Sequence, residues 1–196
     1  MPSNSKHFYP LSSNSLSLSS FLSFYLLFYF LVLKYQMSNL VLRVAIIGAR
    51  DLAAADRNGS SDPYAVVRIN DKKFTTKVVK QTLDPVWDFD FDFPIKLGKV
   101  PNGVTITIWD SDTLGRDFLG EITLPFKNIF DRNAGGIADG VPRHFFDPDN
   151  KSCWFNLSKR SEKDVVSGDI LVKFGFIEDH DRDSKEYVEA WSKLLL

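Results

Sequence analysis

Trp87-Asp88-Phe89-Asp90-Phe91-Asp92-Phe93 (WDFDFDF) places an aromatic ring at every odd position and an aspartate at every even one. Successive side chains on a β-strand point to opposite faces, so this stretch reads as a strand with one aromatic face and one acidic face. A half-buried strand is the placement that suits both faces. Period-two patterning of the same kind, or short apolar runs bounded by turn residues, recurs on either side of it. Upstream lie Leu40 to Ile47, Pro63 to Ile69 and Lys73 to Lys80; downstream lie Val104 to Trp109, Phe118 to Leu124, Cys153 to Leu157 and Gly168 to Ile177. Eight predicted strands joined by connections too short for helical crossovers give an all-β fold, an eight-stranded antiparallel β-sandwich. The segment between Leu124 and Cys153, rich in Gly, Asp, Asn and Pro, reads as a long loop with a short helical turn. After Ile177, Asp183 or Ser184 can cap a short C-terminal helix carrying Tyr187, Val188, Trp191, Leu194 and Leu195 on one face. That face either packs on the sandwich or receives a protein partner.

The chain therefore divides into a leader (1–36), a β-sandwich domain (38–177) and an acidic linker with an amphipathic helix (178–196). The leader is almost entirely Ser, Phe, Leu, Tyr, Asn and Pro, and Leu16 to Leu33 is an 18-residue run without a charge. As a helix that run reaches roughly 27 Å, close to the ~30 Å hydrocarbon core of a bilayer. Three readings stay open: a mispredicted start with translation beginning at Met37, a membrane anchor, and a secretion signal lacking an A-x-A-like cleavage site. Residues 1–36 carry no weight in the fold argument.

Composition narrows the function classes. Lysine and arginine total 24 against 25 acidic residues, a net charge of −1, so no global field draws the chain to nucleic acid. Cys153 is the only cysteine, which excludes an internal disulfide and argues for a reducing, cytoplasmic setting. The three histidines show no metal-ligand spacing, no Ser-His-Asp arrangement or phosphate-cradling glycine loop is present, and the chain reads as a non-enzyme.

If successive strands run alternately up and down, every connection after an odd-numbered strand reaches the same end of the sandwich. Residues 49–62, 81–86 and 110–117 then share one rim, which gathers five carboxylates: Asp56, Asp62, Asp110, Asp112 and Asp117. Two carboxylates ~4 Å apart repel by roughly 4 kcal/mol at an effective dielectric of about 20. Either they diverge into water or a cation joins them, and oxygen-only ligands on loops suit Ca²⁺ better than Mg²⁺ or zinc. Asp84 in the second loop, standing before Pro85, reads as a turn residue.

Three motifs in order, SDPYAVV (61–67) with Asp56 six residues before its aspartate, TLDPVW (82–87), and WDSD (109–112) followed by DFLGE (117–121), resemble the C2 domain over about Ser38 to Ile177. The first strand leads directly into the first loop, as in the family's second, phospholipase-type topology. The resemblance implies calcium ligation by Asp56, Asp62, Asp110, Asp112 and Asp117. Many members place the last of these eight residues after the third, whereas Asp117 follows Asp110 by seven. The implied function is calcium-dependent binding to anionic phospholipid membranes, a cytoplasmic protein being recruited when calcium removes the rim's negative charge. Leu114 at the tip of the third loop would enter the interface, and Arg57 and Arg116 would meet anionic headgroups. In some members of the family a lysine-rich patch on this region binds phosphoinositides, which the resemblance carries to Lys73 and Lys77 as a candidate patch, against the plainer reading of a solvated strand face. Two alternatives remain: a calcium-independent protein-interaction C2 domain, and the targeting piece of a larger lipid-metabolising enzyme. If residues 16–33 are translated and inserted, the domain is membrane-anchored.

Overall fold

The computed structural model describes residues 21–29, 40–96, 99–112, 115–137, 139–177 and 183–195. The chain falls into two units, Met1–Gln36 and Met37–Leu196. Within the first, residues 21–29 form helix α1, and the rest of the leader lies outside the described residues. Among the described residues no helix is long and apolar enough to cross a membrane.

Among the described residues the second unit holds eight strands: β1 (Val41–Arg50), β2 (Pro63–Ile69), β3 (Lys72–Thr75), β4 (Val86–Pro94), β5 (Gly103–Asp112), β6 (Gly115–Pro125), β7 (Cys153–Asn156) and β8 (Asp169–Phe176). They form two four-stranded antiparallel sheets, ordered β4-β1-β8-β7 and β3-β2-β5-β6. The alternating stretch behaves as its pattern demands: Trp87, Phe91 and Phe93 are buried, while Asp88, Asp90 and Asp92 face solvent. Burial of such side chains stabilises by about 1.5–3 kcal/mol each. They share one core cluster with Ile106 and Ile108 of β5, both fully buried.

The alternation has one interruption. Asp88 takes a left-handed conformation (φ 45°), and the β1–β4 register slips between Ile46 and Gly48. Against β8, Ile47 is the extra residue, since Ile46 pairs with Val172 and Gly48 with Leu171. Bulges of this kind re-aim side chains on the affected face.

Three strands differ clearly from expectation. β3 ends at Thr75 rather than Lys80, because the Ala65 N–H goes to the Thr76 hydroxyl (2.9 Å), which donates to the Lys77 carbonyl (3.0 Å); the Thr76 N–H still bonds the Ala65 carbonyl (3.0 Å), but its return bond is made by a side chain. β5 and β6 are longer than expected: pairing runs on through Asp110–Asp117, Ser111–Arg116 and Asp112–Gly115, so most of the third loop is a hairpin. At the base of the rim Gly168 has φ +86°, and a Cβ there would collide with the Arg50 carbonyl oxygen, which excludes other residues.

The long connection after β6 contains two 3₁₀ turns, Phe126–Asn128 and Arg132–Ala134. Helix α2 (Ser184–Leu194) starts with a reciprocal capping box between Asp183 and Glu186. Its apolar face packs inward, with Tyr187 fully buried and stacked on Phe176 (5.2 Å between ring centres) and Trp191 against Phe126, Phe130 and Phe176. Val188 and Leu195, expected on that face, are exposed. Replacing Trp191 with Ala should lower unfolding free energy by about 3 kcal/mol in urea denaturation; a loss under about 1 kcal/mol would show that α2 is not part of the cooperative fold.

Candidate functional site

Loop one (51–62) is folded on itself around Ser61, which is fully buried, accepts the Ala55 N–H (3.0 Å) and donates to the Ala53 carbonyl (3.0 Å). The Asp56 N–H bonds the Ser60 carbonyl (3.0 Å), and the Ser60 hydroxyl reaches the Asp56 carboxylate at 3.3 Å. The loops are tied to each other through backbone groups: Thr82 N–H to the Ser61 carbonyl (2.9 Å) and Ser111 N–H to the Asp62 carbonyl (3.1 Å). Asp84 accepts the N–H of Asp51 (3.0 Å), a residue itself in the left-handed region at φ 52°, so Asp84 serves the turn. Parity thus brings the three segments together as expected. It also brings a fourth, residues 157–168, whose Ser167 hydroxyl donates to the Asp51 carbonyl (2.8 Å).

Within this rim Asp56, Asp110 and Asp112 each present an oxygen, all within 4.8 Å of one another. Carboxylates this close repel by roughly 3–4 kcal/mol per pair at an effective dielectric of about 20, less at the exposed Asp112. Asp110 is 1% exposed; its Oδ1 accepts the Asp62 N–H, and its buried Oδ2 has no hydrogen-bond partner among the described residues. Burial, followed by the charges of Asp56, Asp112 and Asp62, raises its carboxyl above the usual range, while the Asp62 N–H pulls the other way. A buried carboxylate oxygen beside two further carboxylates is a donor set of the kind that holds a cation. Hard oxygen ligands in this irregular arrangement fit Ca²⁺.

The remaining sequence-nominated residues are placed differently. Asp62 stands outside that trio: its carboxylate accepts from Lys80 Nζ (2.9 Å) and from the Gln81 N–H (2.8 Å), which hold it below the usual carboxylate range. Asp117 is exposed and also outside the trio, although its register opposite Asp110 gives it the same face of the hairpin. Arg57 is exposed. Arg116 lies over the Trp109 ring at 4.1 Å, and Leu114 lies outside the described residues. Lys73 and Lys77 are exposed, Lys73 directly opposite Arg68 on the outer face of its sheet.

Two residues were missed. Lys80 is an exposed counter-ion to Asp62 at the rim, legible had parity been applied to the last residue of the third predicted strand. Arg160, from the fourth connection, bonds Glu121 (2.5 Å) and lies over Phe118 (4.5 Å) and Trp109 (5.2 Å), covering Thr107. No spacing in the sequence announces it.

The family model for the C2 domain matches residues 40–139. The chain belongs to the C2 domain family. C2 domains are membrane-binding modules, and this one is similar in sequence to parts of several larger proteins. The Rho GTPase-activating protein gacEE of Dictyostelium discoideum is 32% identical over 143 residues, covering 72% of this chain and 22% of that protein. The C2 and GRAM domain-containing protein At1g03370 of Arabidopsis thaliana is 30% identical over 139 residues, covering 69% of this chain and 12% of that protein. The chain thus spans less than a quarter of the curated relatives it matches. Among solved structures, the calcium-bound pair of C2 domains of extended-synaptotagmin 2 aligns with a TM-score of 0.53 at 22% identity, over 71% of this chain and 46% of that one, a likeness of fold. Human GIVD cytosolic phospholipase A2 aligns with a TM-score of 0.54 at 25% identity, over 74% of this chain and 17% of that one.

In this C2 domain two neighbouring aspartates should answer acid in opposite senses. Asp110, with its folded value raised, contributes relative stability below the ordinary carboxylate range that is lost as pH rises through its folded value. Asp62, held down, contributes stability above that range that is lost as pH falls through its folded value. Carboxyl-carbon NMR titration of calcium-free protein should place Asp110 above and Asp62 below exposed aspartates; the reverse order would refute the rim geometry.

Proposed function

We propose that this chain is a non-catalytic module that binds anionic phospholipid surfaces in a calcium-dependent manner through the rim. The observation that carries the reading is the buried Oδ2 of Asp110, without a hydrogen-bond partner among the described residues, within the Asp56–Asp110–Asp112 group. Those three residues would hold the ion, with Asp62 and Asp117 the further ligands that the family resemblance implies. When bound, Ca²⁺ supplies positive charge at the rim and open coordination positions for lipid phosphate oxygens. The chain's own residues do the rest. Asp56, Asp110 and Asp112 keep the metal-free rim repulsive to an anionic surface. Arg57 stands exposed beside Asp56 and adds about 1 kcal/mol near such a surface. The Trp109 ring holds Arg116 within the same hairpin.

Cosedimentation with phosphatidylserine vesicles tests this. Binding should require calcium, vanish in chelator, and be lost in Asp110→Asn, which keeps the acceptor for the Asp62 N–H but removes the charge. Binding unchanged by chelator would end the calcium-dependent reading.

One observation favours a second reading, a calcium-independent interaction domain. Lys80 already neutralises Asp62 within the rim at 2.9 Å. Calcium calorimetry separates the two: the first reading gives a saturable heat and a several-fold tighter affinity in Lys80→Ala, in which no tethered cation competes for Asp62. The second gives no heat in either protein.

A further inference from the structure

The chain contains two Asn-Gly dipeptides, Asn58-Gly59 in loop one and Asn102-Gly103 at the start of β5. An asparagine before glycine is chemically labile, because the glycine nitrogen reaches the preceding side-chain amide carbon with no Cβ in its way. How fast that happens depends on how the fold holds the pair. Asn58 and Gly59 are both exposed, in a turn closed by the Gly59 N–H on the Asp56 carbonyl (3.1 Å). Gly59 has φ +81°, and a Cβ built there would meet nothing within 4 Å, so no other part of the fold packs on the turn at that point. An exposed turn of this kind opens locally without disturbing the core.

The second pair is held differently. The Asn102 carbonyl accepts the Phe126 N–H (2.9 Å), Gly103 stands opposite Pro125 in the β5–β6 ladder, and a Cβ on Gly103 would meet the Leu124 carbonyl oxygen at 2.8 Å. Its nitrogen swings toward Asn102 only if the end of the ladder comes apart. The amide groups differ as well. Asn58 Oδ1 accepts two hydrogen bonds, from the Ser60 N–H (3.0 Å) and from the Ser60 hydroxyl (2.7 Å), which stands farther from the Asp56 carboxylate (3.3 Å). Donors on a carbonyl oxygen draw charge from its carbon and stabilise the oxyanion that forms when a nucleophile adds. Among the described residues no group donates to the Asn102 side chain.

We infer that Asn58 is a self-modification site, converted by the Gly59 backbone nitrogen through a cyclic imide to aspartate and isoaspartate, with the Ser60 donors on the reacting carbonyl. The Gly59 nitrogen gives up its proton to solvent and adds to Cγ of Asn58. The N–Cγ bond forms, the Cγ–Nδ2 bond breaks, and ammonia leaves with a proton from solvent. One water then opens the ring, at Cγ to give aspartate or at the backbone carbonyl to give isoaspartate. One ammonia is lost and one water gained, with no oxidant, metal or partner. In the aspartate product the carboxylate takes over the two Ser60 donors. It lies two residues from Asp56, so the negative charge of the rim grows as the molecule ages. The site stands whether or not the rim binds calcium.

The test incubates the whole chain in chelator at mildly alkaline pH in ¹⁸O-enriched water and follows both dipeptides by peptide mass spectrometry. Enzymatic carboxyl methylation of the same peptides scores isoaspartate. The Asn58 peptide should take up ¹⁸O and yield both products, at least ~10-fold faster than the Asn102 peptide. In urea, where the fold no longer distinguishes the two dipeptides, their rates should agree within ~3-fold. Gly59→Ala, which puts a Cβ beside the attacking nitrogen, should slow conversion at Asn58 at least ~10-fold. The comparison between folded and unfolded chain needs no substitution and holds even if that variant misfolds. An intact Asn58, equal or faster conversion of Asn102 in the folded chain, or a rate gap that persists in urea overturns the inference. So does conversion without isoaspartate, which marks direct hydrolysis by water, or undiminished conversion in folded Gly59→Ala.

Discussion

The structure depends on a two-residue repeat meeting a single interior. Aromatic side chains can leave water on one face of β4 only if the strand stays extended, and each strand that covers them is held to the same alternation. Once β1, β4 and β8 are committed to that face, the up-and-down path of the chain determines which connections share an end. The acidic rim is therefore a consequence of hydrophobic burial acting through topology. Its carboxylates are carried together against their mutual repulsion because the strands beneath them have no other arrangement that hides the rings.

That chain of cause explains what was legible. The eight strands, the sandwich, the shared end of the loops and the capped helix all follow from periodicity and turn chemistry, which are local properties of the text. The inward packing of Tyr187 and Trp191 was one of two readings of an amphipathic face, and only the position of Phe126, Phe130 and Phe176 in space decides between them. The early end of β3 was hidden because Thr76 is a good strand residue that can also divert its hydroxyl to the backbone.

The site was legible in type and less so in detail. Asp56, Asp110 and Asp112 converge, whereas Asp62 is engaged by a lysine whose role depends on a side-chain reach that spacing does not encode. Asp117 shares a face with Asp110 by register, yet its carboxylate stands apart, since the continued ladder and not a free loop decides where it projects. An open cleft on the outer face of the β4-β1-β8 sheet was illegible altogether. It arises from one extra residue in β1, one left-handed aspartate in β4, and a glycine in β8 that admits a distant loop, three departures from the pattern that otherwise revealed the fold.

The paired backbone that carries β5 and β6 out to Asp112 and Gly115 has a thermodynamic corollary. Side chains mounted on a hydrogen-bonded ribbon have already surrendered most of their wandering before any ligand arrives, so association forfeits little further disorder. Specificity at such a crown then rests on size and charge density, because a stiff frame cannot shrink around a smaller visitor.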